Sequence, residues 1–282
     1  MKGVGPILIA LVAMAAILVA EGIFLNIFLG LRVAKEEAAR ELNVIKAINI
    51  VEAIKRGLPN ALYYSFSQGA YEVLKTGGYR STEGLQMIDS IPVWKSGTET
   101  YFPDYSTGIT SNVNYIFDQY IQSSREVKIP QGEITINFVE DKASLEFSSS
   151  GLLYNESATA KIYDNPNATI QIKTNIGKMF NLGKQIVDSA CEGSKSYTQD
   201  VLSVSIEKNN NAALVKIEDQ DNTFPVYDNG LSYRKMVLQF YVKTCGCYGE
   251  SECKSNADCF WCSVPAPSIH GCLDKSEAWK CV

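Results

Sequence analysis

One histidine, His270, occurs in 282 residues, and that scarcity removes most nucleophilic hydrolysis at the outset. A Ser-His-Asp or Cys-His arrangement would have to be built around it. It lies in a tail crowded with cysteines. A Gly-rich phosphate loop is missing: Gly77-Gly78 is an isolated pair with no following Lys-Ser/Thr. No His-Glu-x-x-His and no EF-hand loop occurs. A surplus of positive charge is missing as well. With 26 Lys+Arg against 31 Asp+Glu the formal net charge is −5. No basic stripe can neutralise phosphates, which excludes nucleic acid as a partner. Carboxylates are frequent, so an extracellular hydrolase stands as a third reading, but no spacing points to it. The chain reads as no enzyme, with no cofactor and no metal.

What is present is a long apolar run. Ile7–Leu31 is apolar except for Glu21 and Asn26. Its 25 residues span roughly 37 Å as a helix, enough for a bilayer core of about 30 Å. Three readings follow: a permanent anchor, a cleaved signal peptide, or the core helix of a pilin-like subunit. A conventional signal peptide would be cut after Ala20, but Leu18 is large for the −3 position and Ile23–Leu31 continues the run. Glu21 is singular. A carboxylate inside a membrane helix costs a few kcal/mol and faces a partner or water.

Met1-Lys2-Gly3-Val4-Gly5-Pro6-Ile7-Leu8 resembles the start of archaeal type IV pilins. The resemblance implies cutting between Gly3 and Val4, with Val4 as the mature N-terminus. It covers only the N-terminal segment. Glu21 lies roughly 26 Å beyond Val4 along a helix. A subunit staggered by that distance would bring its Val4 amine to Glu21 of its neighbour.

The helical pattern continues past the apolar run. Ala34, Ala38, Leu42, Ile45, Ile48, Val51, Ile54 and Leu58 recur at three- and four-residue intervals, giving one apolar stripe with a charged back. The stripe packs either on the protein's own head, the reading favoured for its C-terminal half, or on neighbouring helices. Gly57-Leu58-Pro59 predicts a kink or break. Helical spacing resumes over Asn60–Lys75 and stops at Gly77-Gly78. Tyr79–Thr110 has no sustained period and predicts a long loop or short irregular strands. Its aromatics (Tyr79, Trp94, Tyr101, Phe102, Tyr105) either tuck against the head, which is favoured, or form a binding surface. Thr110 or Ser111 is a cap for a short helix carrying Val113, Ile116, Phe117, Tyr120 and Ile121.

From Val127 the period changes to two. Ile134, Ile136 and Phe138, then Ala143, Leu145 and Phe147, alternate with polar residues. Further strands are predicted at Thr159–Tyr163, Thr169–Thr174, Val201–Glu207, Ala213–Glu218 and Lys235–Lys243, with turns at Ser148–Gly151, Asp164–Asn167, Asn209–Asn211 and Asp228–Gly230. Consecutive strands predict hairpins and an antiparallel sheet. Ile176–Ala190 predicts a helix crossing one face. Asn155-Glu156-Ser157 and Asn167-Ala168-Thr169 are N-glycosylation sequons, consistent with an outside location.

Seven of eight cysteines lie in the tail: Cys245, Cys247, Cys253, Cys259, Cys262, Cys272 and Cys281; Cys191 stands apart, after the predicted helix. This reads as a disulfide framework in an oxidising compartment, with about 105 possible pairings. The competitor is a metal site on Cys259-x-x-Cys262 with His270 nearby. Asp258-Cys259-Phe260-Trp261-Cys262 followed by Cys272 resembles the heart of plexin–semaphorin–integrin modules, which implies a rigid spacer or cap.

The sequence therefore predicts an α+β protein in five parts. Residues 1–6 are a basic leader, 7–31 a transmembrane helix and 32–78 a helical stalk. Residues 79–244 form an antiparallel head with packed helices, and 245–282 a disulfide-rich tail. The expected role is a membrane-anchored, extracellular pilin-like structural protein, a filament subunit or minor pilin. Its partners would be membrane lipid and identical or related subunits. The alternative is a monomeric anchored ectodomain that binds a glycan or a partner cell.

Overall fold

A computed structural model describes the backbone of residues 4–96, 99–122, 127–128, 131–139, 141–149, 152–155, 161–163, 165–189, 200–209, 212–243, 259–263 and 270–274. Side chains are described from Leu18 onward, apart from those of 127–128, 152–155, 161–163, 208–209, 259–263 and 270–274. The class is α+β, with three helices and a mixed principal sheet among the described residues.

Helix α1 spans Val4–Lys75, 72 residues and about 108 Å at the α-helical rise. Of the kink or break expected at Gly57-Leu58-Pro59, the break does not occur: α1 runs on through Pro59. An internal proline costs about 3 kcal/mol. Around it Leu58, Ala61, Leu62 and Phe66 are all buried. Each large apolar side chain contributes about 1.5–3 kcal/mol on burial, so packing outweighs the proline. The helix does end at the glycine pair. Gly77 and Gly78 have φ of 62° and 91°, and their N–H groups donate to Leu74 O and Val73 O at 3.0 and 2.8 Å.

The expected span Ile7–Leu31 begins among residues whose side chains are not described. From Leu18 to Leu31 only 14 apolar-run residues remain, with Glu21 among them. Among the described residues no helix is long and apolar enough to cross a membrane.

Helix α2 spans Tyr105–Gln122, starting before the expected Thr110 or Ser111. Asp104 explains the early start. Thr107 N and Oγ1 donate to its carboxylate at 3.2 and 2.7 Å, capping the first turn. The Thr107 hydroxyl, and then the Thr107 N–H, hold the Asp104 carboxyl below its ordinary range. Ile109, Val113, Phe117 and Ile121 form the buried face. α2 lies so close to α1 that a Cβ on Gly69 would stand 2.8 Å from Val113 Cγ2. Asn112 Nδ2 donates across this contact to Gly69 O at 3.3 Å and to Glu72 at 3.0 Å.

Of the two readings of Tyr79–Thr110, a long loop or short irregular strands, the second holds: the segment carries β1 (Met87–Ile88), β2 (Ile91–Ser96) and β3 (Glu99–Thr100). They join β10 (Leu202–Asn209), β11 (Ala212–Tyr227) and β12 (Leu231–Lys243) in the order β1-β2-β12-β11-β10, with β3 on β2. The expectation of an antiparallel sheet is corrected here, because β2 pairs parallel with β12. Hairpins connect β10 to β12, but α2, α3 and a second sheet separate β2 from β12. A connection that long permits a parallel pair. The second sheet, β5 (Gly132–Val139), β6 (Lys142–Ser149) and β9 (Asn167–Lys173), is antiparallel in the order β5-β6-β9. Its alternation buries Ile134, Leu145, Phe147 and Ile172 and turns Glu133, Glu146, Asn167 and Lys173 to solvent. β4 (Val127–Lys128), β7 (Leu152–Asn155) and β8 (Lys161–Tyr163) form a third sheet. In the tail, β13 (Cys259–Ser263) and β14 (His270–Asp274) make an antiparallel hairpin.

Helix α3 spans Ile176–Asp188 and buries Ile176, Met179, Phe180, Leu182, Ile186 and Val187. Its start is tied to a bulge in β11, where the register against β12 shifts between Glu218 and Thr223. Asp219, fully buried, accepts from Asn175 N and Nδ2, from the N–H groups of Asp221 and Asn222, and from Asn222 Nδ2, at 2.9–3.3 Å. A buried carboxylate is tolerated because it is so fully hydrogen-bonded.

One core joins the second half of α1, α2, α3 and the inner faces of both larger sheets. Trp94 is at its centre with no exposed surface. It stacks on Phe240 at 3.9 Å and on Phe180 at 5.8 Å, and meets the edge of Phe102 at 5.9 Å. Its Nε1 donates to Gly77 O at 2.9 Å, fastening the end of α1 to the sheet. Tyr105 stacks on Phe180 at 4.0 Å. Tyr79 is half-buried and donates its hydroxyl to Tyr101 O at 2.6 Å. Burial pushes the Tyr79 phenol up to about 12. The 79–110 aromatics are therefore mostly internal structure, with Tyr101 as the exposed member.

Candidate functional site

Two surfaces are candidates for function: the first half of α1, and the flank of the head where α1 passes β9 and β11.

Among the described residues nothing covers the first half of α1 from Leu18 onward. From Leu18 to Lys46 every residue is exposed except Asn43, which is half-exposed. That stretch is about 43 Å of helix. Phe24 is 71% exposed and Leu42 68%. Burial begins at Ala47 and Val51, and Leu58 is 2% exposed. The apolar stripe is therefore divided. Val51, Ile54 and Leu58 turn into the head, as expected for its C-terminal half, while Ala34, Ala38, Leu42 and Ile45 are exposed among the described residues. Arg32 pairs with Glu36 at 3.4 Å, an exposed pair of the kind that contributes at most about 0.5 kcal/mol.

Glu21 and Asn26 are both exposed on this bare segment. Five residues apart, they face different sides of the helix. Sequence reasoning missed the company Asn26 keeps. Gly22, Asn26 and Gly30 recur every four residues on one face, and a Cβ built on either glycine would have no neighbour within 4 Å. Small residues at that spacing let helix backbones approach, and an amide among them can bond across the contact. The signal was in the sequence as a spacing, visible once the three residues are read together.

The processing pair is only partly placed. Gly3 lies outside the described residues, and Val4 opens α1 with its backbone alone described. Cys191, Cys245, Cys247, Cys253 and Cys281 lie outside the described residues. Cys259 and Cys262 fall on β13 and Cys272 on β14, where Trp261 pairs with Cys272, but their side chains are among those not described. Of the sequons, Asn155 ends β7 with its side chain likewise undescribed, and Asn167 opens β9 with an exposed side chain.

The flank of the head carries an open groove of about 560 Å³. Pro59, Asn60 and Tyr63 of α1 form one wall, Ile170–Lys173 of β9 the second, and Asp221–Phe224 of the β11 bulge the third. Lys173 and Asp221 face each other at 4.0 Å. Beside the groove the β11–β12 hairpin lies on α1, with Tyr227 N donating to Gln68 at 2.8 Å. Tyr64, Tyr227, Leu231 and Tyr233 are exposed there, the last three by 63–71%. Tyr63 joins this cluster to the groove. Its ring meets that of Tyr64 at 5.8 Å, and burial first, then Tyr233 and Tyr64, raise its phenol above the ordinary value. This cluster has no signal in the sequence, because Tyr64 and Tyr233 are far apart along the chain.

No protein-family model, no curated protein and no solved structure matches the chain.

Proposed function

We propose that the chain is a membrane-anchored, pilin-like surface protein, a filament subunit or minor pilin with its α+β head outside the cell. The supporting observation is that α1 is one continuous helix, half spine of the head and half bare. Lipid would cover Ile7–Leu31. It would not cover Leu42 and Ile45, which follow Arg32, Lys35 and Arg40. Exposed apolar residues in a stripe beyond the charged boundary call for another helix. A second copy, or a related subunit, presents the same stripe, and Gly22-Asn26-Gly30 supplies a close-approach face nearer the N-terminus.

In this arrangement Glu21 lies level with the Val4 amine of a neighbour staggered by roughly 26 Å. Glu21→Gln is expected to leave membrane insertion intact and to abolish filaments, read by membrane fractionation and electron microscopy of surface material. Normal filaments from that variant would remove Glu21 from the assembly role.

A second reading, an anchored ectodomain that binds glycan or a partner cell, is favoured by the exposed cluster of Tyr64, Tyr227, Leu231 and Tyr233. Tyr227→Ala with Tyr233→Ala would then abolish cell adhesion with filaments intact.

A further inference from the structure

We propose that the groove between α1, β9 and the β11 bulge seats the oligosaccharide carried on Asn167 of the same chain. The inference rests on the outside location argued above. The lining has the chemistry of a saccharide site. Asn60, Gln171, Asp221 and Asn222 offer planar amide and carboxylate groups that pair with neighbouring hydroxyls, and Tyr63 offers a ring for the apolar face of a sugar. The groove is open and shallow, with no enclosed apolar pocket of the kind that holds a drug-like molecule.

The occupant follows from β9. Asn167, Thr169, Gln171 and Lys173 alternate onto one exposed face of that strand. The sequon thus sits at one end of a row of exposed polar side chains, and the groove begins at the other. Asn167 and Gln171 are about 13 Å apart at the strand rise, within reach of a short oligosaccharide. On that face of the strand only Thr169 lies between them. β9 is also an edge: among the described residues it pairs with β6 alone, leaving its other side to the groove. A groove this open would hold a free sugar weakly. A tethered one has an effective concentration in the millimolar range, so weak contacts suffice to seat it.

The test compares protein from its own cells with Asn167→Gln and Asn155→Gln variants, using intact mass and backbone hydrogen exchange. With an effective concentration of about 10 mM and an intrinsic Kd of about 1 mM, exchange at 170–173 and 221–224 should be about ten-fold slower when Asn167 is glycosylated. Asn167→Gln should remove that protection and Asn155→Gln should not. Asn60→Ala with Gln171→Ala, both at exposed positions, should keep the glycan mass and lose the protection. Glycan on Asn167 with no change of exchange in Asn167→Gln overturns the inference. So does an unmodified Asn167, including the case in which the groove binds an added free oligosaccharide. Surface labelling of the head in intact cells is read alongside. A labelled head with an unmodified Asn167 leaves the outside location standing and sinks only this inference; an unlabelled head sinks both.

Discussion

The two halves of α1 are one helix under two sets of conditions. From Leu58 to Leu74 the buried apolar side chains are Leu58, Ala61, Leu62, Phe66, Ala70, Val73 and Leu74, a wide face that reaches α2 and both larger sheets. From Leu18 to Lys46 the helix is exposed all round. Both halves carry apolar residues at helical spacing, so periodicity alone does not tell them apart. What differs is what the rest of the chain brings to them. The second half has small residues where partners approach, Gly69 against Val113 above all, and polar side chains that close the contact, such as Asn112. The first half has its own small-residue face at Gly22 and Gly30, with no described neighbour within 4 Å of a Cβ built on either.

Substitution separates the halves. Phe66→Ala, at a site with no exposed surface, should destabilise the head by about 3–5 kcal/mol in urea unfolding. A loss below about 1 kcal/mol would mean the second half is not the spine described. Asp219→Ala leaves several buried donors at the α3 start without an acceptor, and should cost about 2–3 kcal/mol by the same measurement. Asp219→Asn should recover part of it.

Tyr79 fixes the chain leaving α1, and its effect depends on pH. The phenol is raised in the folded state from 10.0 to about 12, so folding favours the neutral form. Its contribution is complete below pH 10 and is lost as pH rises through about 12. Thermal unfolding should therefore weaken across that window, and Tyr79→Phe should flatten the dependence. The smallest effect on the head is expected from Leu42→Ser with Ile45→Ser, within about 0.5 kcal/mol, because both are exposed. The same pair should disrupt self-association, measured by crosslinking in membranes. A large loss of head stability would mean that the bare half packs on the head after all.

Much of the architecture was legible because local patterns and tertiary packing agree. The period-two runs around Ile134–Phe138 and Ala143–Phe147 became β5 and β6, and Ile176 to Val187 became α3. The misreadings have local causes. Pro59 predicts a break from backbone chemistry alone, and buried neighbours overrode it. Ser106-Thr107-Gly108 hides a helix start that Asp104 caps. β11 runs on past Glu218 because a bulge built on Asp219 absorbs an otherwise polar stretch. The parallel pairing of β2 with β12 had no signal in either strand, since neither records which distant segment will lie beside it.

By itself the sequence determined the helix that runs on from the apolar N-terminal segment, the glycine pair that ends it, and the alternation of the strands. Each depends on bonds or faces set within a few residues. Only the tertiary structure decided where the helix divides into a bare half and a buried half. It also decided that the 79–110 aromatics are chiefly core, and that Asn60, Gln171 and Asp221 meet around a groove with Asn167 on the same strand face. Those are relations between distant segments, fixed by which surfaces exclude water together.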